Sequence, residues 1–499
     1  MKRRHFLASS GALIGDFAFL NGLAPVSAAE TKSVANLVKV SDEIEPIVRL
    51  IESTSRKRLL EEVGSRVKSG KLSYREILAG LQLAGVRNVQ PRPVGFKFHS
   101  VLVVNSAHMA SMASPDRDRW LPIFWALDYY KQAEKTNIQQ GNWHMTSVDE
   151  AAVPKTQRAR KEFVRAMENW DVAAADTAVA GMARSNGAHQ AFELFASFGS
   201  RDFRDIGHKA IFVANSFRTL QNIGWHHAEP VLRSLTYALL AHEGENPAKR
   251  DSDLDRPWRD NQRLIEDIPK NWLGGEHSIT ATHDLLETLR QACPHEACLK
   301  AVQLFKAGLG PKVIWDTGFQ FASELLMRNP GIVSLHAVTS ANAMHYSYQT
   351  CQTEKTRQLL TLQFVAFLTM FRRDPKSLEH KPERIHTLQP LMVKGSTTEQ
   401  LETIFAGLQE NRQQAARQIL SFCKQGSSNA RQFIDNARRM LFMKGNNAHD
   451  YKFTAAVLED YYHISPGLRE AFIAASVYNL RGSTERDNPL VQRTRAALS

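Results

Sequence analysis

The sequence predicts an all-α fold: a large multi-helix bundle or array with a carboxy-terminal helical subdomain. Three observations predict it. Apolar residues recur at helical spacing along nearly the whole chain. No run of alternating apolar and polar residues argues for a strand. Gly and Pro punctuate the periodic segments, as at Pro91/Pro93, Pro115, Gly274-Gly275, Gly308/Gly310 and Pro330-Gly331, while Ser, Thr or Asp often stand at their starts.

Taken in order, helical periodicity runs over about 41–68, 74–84, 98–113, 117–136, 156–183, 187–197, 203–222 and 227–242. It resumes over about 252–267, 277–290, 296–308, 312–327, 332–350 and 354–373. The stretch from Arg372 to Pro390 is polar, contains Pro and loses the apolar period, so it is the expected boundary between a main domain (30–375) and a carboxy-terminal region (390–482). That region carries helical patterns at about 397–409, 411–424, 428–442, 450–461 and 466–480, and the charged tail from Gly482 is expected to fray.

At 499 residues the chain is long enough for one large or two ordinary cores. Its 43% hydrophobic and 23% charged content is that of a soluble globular protein. The net charge of +12 invites a nucleic-acid reading, but basic residues alternate with acids along the helices and no basic run is interleaved with aromatics. A solvated basic surface is the expectation, with no nucleic-acid partner. The four cysteines, Cys293, Cys298, Cys351 and Cys423, form no C-x-x-C pattern, which argues against c-type haem and zinc ribbons. Cys293 and Cys298 would either pair locally in an oxidising compartment or remain thiols.

Residues 1–29 have a basic start, an apolar middle and a small-residue end at Ser27-Ala28-Ala29, the architecture of a secretory signal. Arg3-Arg4-His5-Phe6-Leu7 resembles the twin-arginine export motif. The expectation is therefore a signal peptide, the twin-arginine machinery as a partner, and a periplasmic or secreted protein. Gly11, Gly15 and Asp16 interrupt the apolar segment, no later stretch approaches a membrane span, and no transmembrane segment is expected in the mature chain.

The chemistry concentrates between Arg201 and Ala241. His208, Ile211, Asn215, Arg218 and Asn222 recur at spacings of three and four and share one helix face. A face of His, Asn and Arg flanked by Ile, Phe, Val and Leu reads as a buried polar face whose groups need partners. Two other stretches repeat the layout: HSVLVVNSAH from His99 and HAVTSANAMH from His336. Each has an early His, an Asn six or seven residues on, and a basic group three past the Asn. Asn105/His108, Asn215/Arg218 and Asn342/His345 are the matching pairs, expected to line one site. In GNNAHDYK, Asp450 reads as a helix cap, while the His449/Lys452 pair on one face is what a cap does not explain.

The candidate catalytic residues are therefore His99, His208, His336, His449, Asn215 and Arg218, and the candidate substrate-binding residues are Asn105, Asn342, His108, His345 and Lys452. His99, His208 and His336 are the candidate metal ligands, brought together from separate helices; the alternative for each is a satisfied core histidine. His277 and His283 lie on different faces, so a single-helix metal site is not supported there. Asp205 with Arg201/Arg204 would fix the His208 tautomer through a carboxylate contact or else form a surface ion-pair set. Glu229 would be an acid of the pocket or a helix-start charge.

Four stretches in this order, FHSVLVVNSAH, GHKAIFVANSFRTL with AEPVLRSLTYALL, HAVTSANAM with TRQLLTLQFVAFLTMF, and HDYKFTAAVLED, resemble the helices of the questin-oxidase-like family over roughly residues 96–480. That resemblance implies an all-α oxidoreductase that inserts oxygen beside a ketone in Baeyer–Villiger fashion, with a site lined by His99, His208, His336 and His449. The sequence departs from the family at Lys209, where a His-Pro start is expected, at Arg218, and in carrying an export signal. No Gly-rich dinucleotide fingerprint follows a strand, so NADPH or flavin would need a different kind of site, and a redox metal is the other cofactor expected. The expected function is an exported oxidoreductase, a Baeyer–Villiger-type monooxygenase acting on a carbonyl-containing small molecule. The alternatives are a non-catalytic helical binding or scaffold protein and a metal-dependent hydrolase, which would need Asp205, Glu229 or Asp450 beside the histidines.

Overall fold

The computed structural model describes residues 36–373, 376, 383–426 and 428–499. Residues 1–29, expected as an export signal, and most of the segment between 374 and 382 lie outside the described residues. Among the described residues there are 23 α-helices joined by short 3₁₀ turns, with no strand beyond two isolated bridges. No helix of the described residues is long and apolar enough to cross a membrane.

The helix Pro311–Arg328 runs through the middle of the fold, with every residue but Lys312 buried. It packs against Ile332–Thr350 and Glu354–Arg372. A side chain at Gly318 would run into Phe364, so this glycine sets how closely two of these helices approach. Trp315 stacks on Phe364 beside it, with ring centroids 4.4 Å apart. Helix Ile332–Thr350 contacts His208–Ile223 on one side and Ala448–Asp460 on the other. One contiguous apolar core joins residues from Ile44 to Val491, so the helices beyond residue 390 share their core with the rest of the chain.

Local chemistry explains where the sequence expectation and the structure part. The segment expected as one helix over 41–68 is two, Glu45–Ser53 and Arg56–Lys68, separated at Thr54-Ser55 in extended backbone. The segment at 156–183 divides into Thr156–Glu168 and Val172–Ser185, because the Asp171 side chain accepts the Ala174 N–H at 3.1 Å and starts a new helix. The stretch at 98–113 breaks at Val103, giving His99–Leu102 and Val104–Met112.

The tail is not frayed. Leu490–Leu498 forms a helix that docks on Arg56–Lys68. Val491 and Thr494 are buried there, and Arg493 pairs with Glu61 at 2.7 Å. Its charges lie on the outer side, which is why the stretch reads as solvated in sequence. At the crossing, a Cβ on Gly64 would sit 2.5 Å from the Ala497 carbonyl oxygen. Gly64→Val is therefore expected to force the two helices apart and cost about 1–3 kcal/mol. Thermal denaturation and faster proteolytic release of the last helix measure it.

Candidate metal centre

Four imidazoles from four parts of the chain meet in the interior. The ligand nitrogens of His99, His208, His336 and His449 all lie within 4.8 Å of one another. Each stands at or near the start of a helix, and each is aimed by the backbone around it. His99 opens His99–Leu102 after a tight turn in which Phe96 has φ 46°, and its Nδ1 lies 2.9 Å from the Phe96 carbonyl oxygen. His208 opens His208–Ile223 with its Nδ1 2.6 Å from the Asp205 carbonyl oxygen. His336 sits in the first turns of its helix with its Nδ1 2.6 Å from the Ile332 carbonyl oxygen. A carbonyl only accepts, so in all three rings Nδ1 carries the hydrogen and Nε2 presents a bare lone pair.

Those lone pairs converge. Nε2 of His208 and Nε2 of His99 are 3.0 Å apart, and neither has a hydrogen to give the other. His449 Nε2 is buried beside them with no hydrogen-bond partner. Two acceptors this close repel unless a cation lies between them. The spacing is that of neighbouring ligands about 2.1 Å from a shared ion, which subtend roughly 3.0–3.4 Å. Burial, reinforced by the charge of Lys452, holds His99, His208 and His336 well below the usual imidazole range and pushes His449 down to about 3. Neutral imidazoles with their outer N–H groups tied to carbonyls form a ready-made ligand set. Lys452, fully buried, comes within 3.5 Å of His336 Nε2, and burial brings its amine down to about 7.

The turn before His208 is the most strained part of this arrangement. Asp205, Ile206 and Gly207 all have positive φ, at 55°, 46° and 78°. A β-branched residue there is costly, on the order of 1–3 kcal/mol, and persists only where the surroundings over-determine it. The surroundings here are buried ion pairs. Lys209 Nζ contacts both carboxylate oxygens of Asp202 at 3.0 Å and the carbonyls of Leu239 and Ala241. Arg204 pairs with Asp255 at 2.6 Å, and Arg201 lies over the Trp170 ring at 3.8 Å. Gly207 leaves room for Ser340 and Phe371, which a side chain would strike. Arg204 pairs with Asp202 and Asp255 rather than with Asp205, so the expected surface set does not form, and the tautomer of His208 is fixed by the Asp205 main-chain oxygen rather than by its carboxylate.

His449 is aimed differently. The Asn447 side chain accepts from the N–H groups of His449 at 2.9 Å and Asp450 at 3.1 Å, while the Asp450 carboxylate accepts from Asn446 and Asn447 and pairs with Arg481. The helix cap is thus Asn447, and Asp450, expected as the cap, completes the capping box from the third helical position.

A polar cleft adjoins the imidazoles. Asn215 donates to the Leu102 carbonyl at 2.9 Å and faces the Asn105 amide at 3.5 Å. Arg218 Nη2 binds Glu459 at 2.8 Å, and the Asn342 amide donates to Glu459 at 2.7 Å and to Asp460 at 2.8 Å. Burial and the neighbouring Glu459 raise Asp460 well above the usual carboxylate range, which favours its neutral form. The three Asn residues and Arg218 therefore come together. His108 and His345 do not join them: His108 bonds the Tyr74 hydroxyl at 2.9 Å, and His345 packs among Trp315, Phe319 and His463. Three residues beyond each Asn is the same helix face, and what separates the three is the neighbour each meets: Tyr74 for His108, Trp315 and Phe319 for His345, and Glu459 for Arg218. Asn222 turns to its own helix, donating to the Arg218 carbonyl.

Glu229 pairs with Arg184 near the surface, so the carboxylates of Asp205, Glu229 and Asp450 are not part of the imidazole cluster. Cys293 and Cys298 are unpaired thiols, the second donating to the Leu362 carbonyl. Glu459, Asp460 and Met109 were not singled out by sequence. Their signal was an acid pair ending an apolar helix, with Glu459 seven residues past Lys452 and so on its face. Comparisons with protein-family models, with curated proteins and with solved structures give no match.

Two outcomes follow from these buried charges. Lys209→Met removes the nearer cation of Asp202, leaving Arg204 at 3.3 Å, and should destabilise the fold by about 3 kcal/mol, whereas Asp202→Asn with Lys209→Met should restore part of it; chemical denaturation reads both. For Asp460, the folded pKa is raised, so the unfolded chain releases the proton first. Its contribution is full below the unfolded carboxylate value and is lost progressively as pH rises toward the folded one. Asp460→Asn should flatten the wild-type decline in denaturation midpoint between pH 5 and pH 8, roughly a unit above and four above the ordinary value.

Proposed function

We propose that this chain is an exported, metal-dependent oxidoreductase in which His99, His208, His336 and His449 hold one transition-metal ion. The observation that carries this reading is the pair of facing Nε2 lone pairs on His99 and His208, with His449 Nε2 unpartnered beside them. Four neutral nitrogen donors and no thiolate or carboxylate suit iron, copper, nickel or zinc more than magnesium or calcium. When bound, a redox-active ion of this kind supplies electron transfer and activation of oxygen.

The chain's own residues then bind and orient. Arg218 presents its weakly held Nη1 N–H groups to the cleft, the kind of donor that a substrate carbonyl or a developing oxyanion needs, while Asn342 spends its amide N–H groups on holding Glu459 and Asp460. Lys452, beside His336, places an amine between that cleft and the imidazoles. This arrangement supports oxygen insertion next to a carbonyl of an organic substrate, the Baeyer–Villiger-type chemistry that the resemblance to questin-oxidase-like proteins implies. The twin-arginine-like start at Arg3-Arg4 supports export to the periplasm or beyond after folding, a route that delivers a protein with its metal already held. Redox chemistry is favoured over hydrolysis because no carboxylate stands among the four imidazoles to serve as a base.

Elemental analysis of protein purified after native export tests the reading. About one iron or copper per chain is expected, lost in His208→Ala and in His336→Ala while helical circular dichroism is retained. Full metal content in both variants would sink the four-imidazole site, and zinc in place of a redox metal would turn the reading to hydration or hydrolysis.

A further inference from the structure

Two adjoining cavities lead inward from the surface toward Lys452, which lies beside His336. The outer one is a pocket of about 250 Å³ whose lining includes Met109, Ala110, Leu441, Leu458, Tyr462 and the carboxylate Glu459. The inner one, about 10 Å³, has room for a single water-sized group among Ser106, Asn215, Arg218, Asn342 and Lys452. Met109 and Ala455 line both parts and so form the constriction between them. Lys452, at the inner end, touches His336.

The inner cleft is short of negative charge. Glu459 is already satisfied by Arg218 and Asn342, and Asp460 favours its neutral form. One arm of Arg218 remains poorly used. Its Nη1 has only Met109 Sδ at 3.6 Å and the Asn342 oxygen at 3.4 Å, while the guanidinium plane lies over the Tyr346 ring at 4.1 Å. A buried guanidinium with one weakly held donor arm, at the inner end of a largely apolar pocket, fits a ligand of one kind.

We infer that this path is the substrate site and that Arg218 sets its specificity, selecting an organic molecule with an apolar body and an acidic oxygen, carboxylate, enolate or phenolate. The apolar body lies in the outer pocket against Leu441, Leu458 and Tyr462. The charged oxygen passes Met109 and takes the weakly held Nη1 arm of Arg218, which orients the molecule toward Lys452 and the imidazoles. This rests on the metal-centre reading for its chemistry, though binding itself is measured separately.

The experiment is calorimetric titration of the full chain, as purified, with 2-naphthoate and with neutral 2-naphthylmethanol of the same shape, alongside metal analysis of every sample. Wild type is expected to bind the carboxylate at least about tenfold more tightly than the alcohol. Arg218→Gln combined with Glu459→Gln, which removes both members of the ion pair and strands neither, should erase that preference and leave the metal content unchanged. Met109→Trp, placed at the constriction with the Arg218–Glu459 pair retained, should weaken both probes about tenfold or more by filling the way in. Equal affinity for the two probes, binding of neither, or a preference that survives in the double variant would overturn the inference. A preference shown by metal-free wild type would uphold the path and count against the metal centre, so the two failures are distinguishable.

Discussion

Three imidazoles in this protein are held by one kind of bond, from ring Nδ1–H to a main-chain oxygen three or four residues earlier. That bond decides the tautomer, the ring orientation and the direction of the free lone pair together. It demands a backbone that turns sharply just before a helix begins. The left-handed residues Phe96, Asp205, Ile206 and Gly207 are the local cost of that demand. The buried Lys209–Asp202 and Arg204–Asp255 pairs hold the most strained of these turns in place. Much of the polar interior around residues 201–209 is therefore support for a single ring.

The cleft beside the imidazoles follows a second constraint. A buried carboxylate needs a cation or several donors, and Glu459 and Asp460 are adjacent in one helix. Arg218 and Asn342 partner Glu459, and Asp460 is biased to its neutral form. Two acids side by side thus end with different charge preferences, and the cleft keeps a positive bias that neither residue type alone would give.

How much of this was legible in sequence depends on the range of the interaction. Helical periodicity is local, and it located nearly every helix, because burial of an apolar stripe repeats every turn. It failed where a cap or a tight turn interrupts the helix, as at Asp171 and Val103, since those signals are single residues. The largely buried Ile332–Thr350 helix has almost no amphipathic signature, and its small residues were the informative feature. The convergence of His99, His208, His336 and His449 was suggested by repeated His/Asn spacing, but no spacing rule specifies contact between distant helices. His108 and His345 obeyed the same spacing and went elsewhere. The structural role of Lys209, which reads in sequence as a departure from a His-Pro start, depends on Asp202 and on two carbonyls some thirty residues on, beyond any motif.

The order in which the four imidazoles occur along the chain has a further consequence. They are spread from His99 to His449, and the helix that brings the last of them also supplies Lys452 and Glu459. During synthesis, a nascent chain that ends short of residue 449 lacks one quarter of the donor set however well its earlier helices have packed. On the proposed four-imidazole centre, loading is thus tied to completion of the polypeptide, and a truncated product would be discriminated from the finished protein by what it fails to retain.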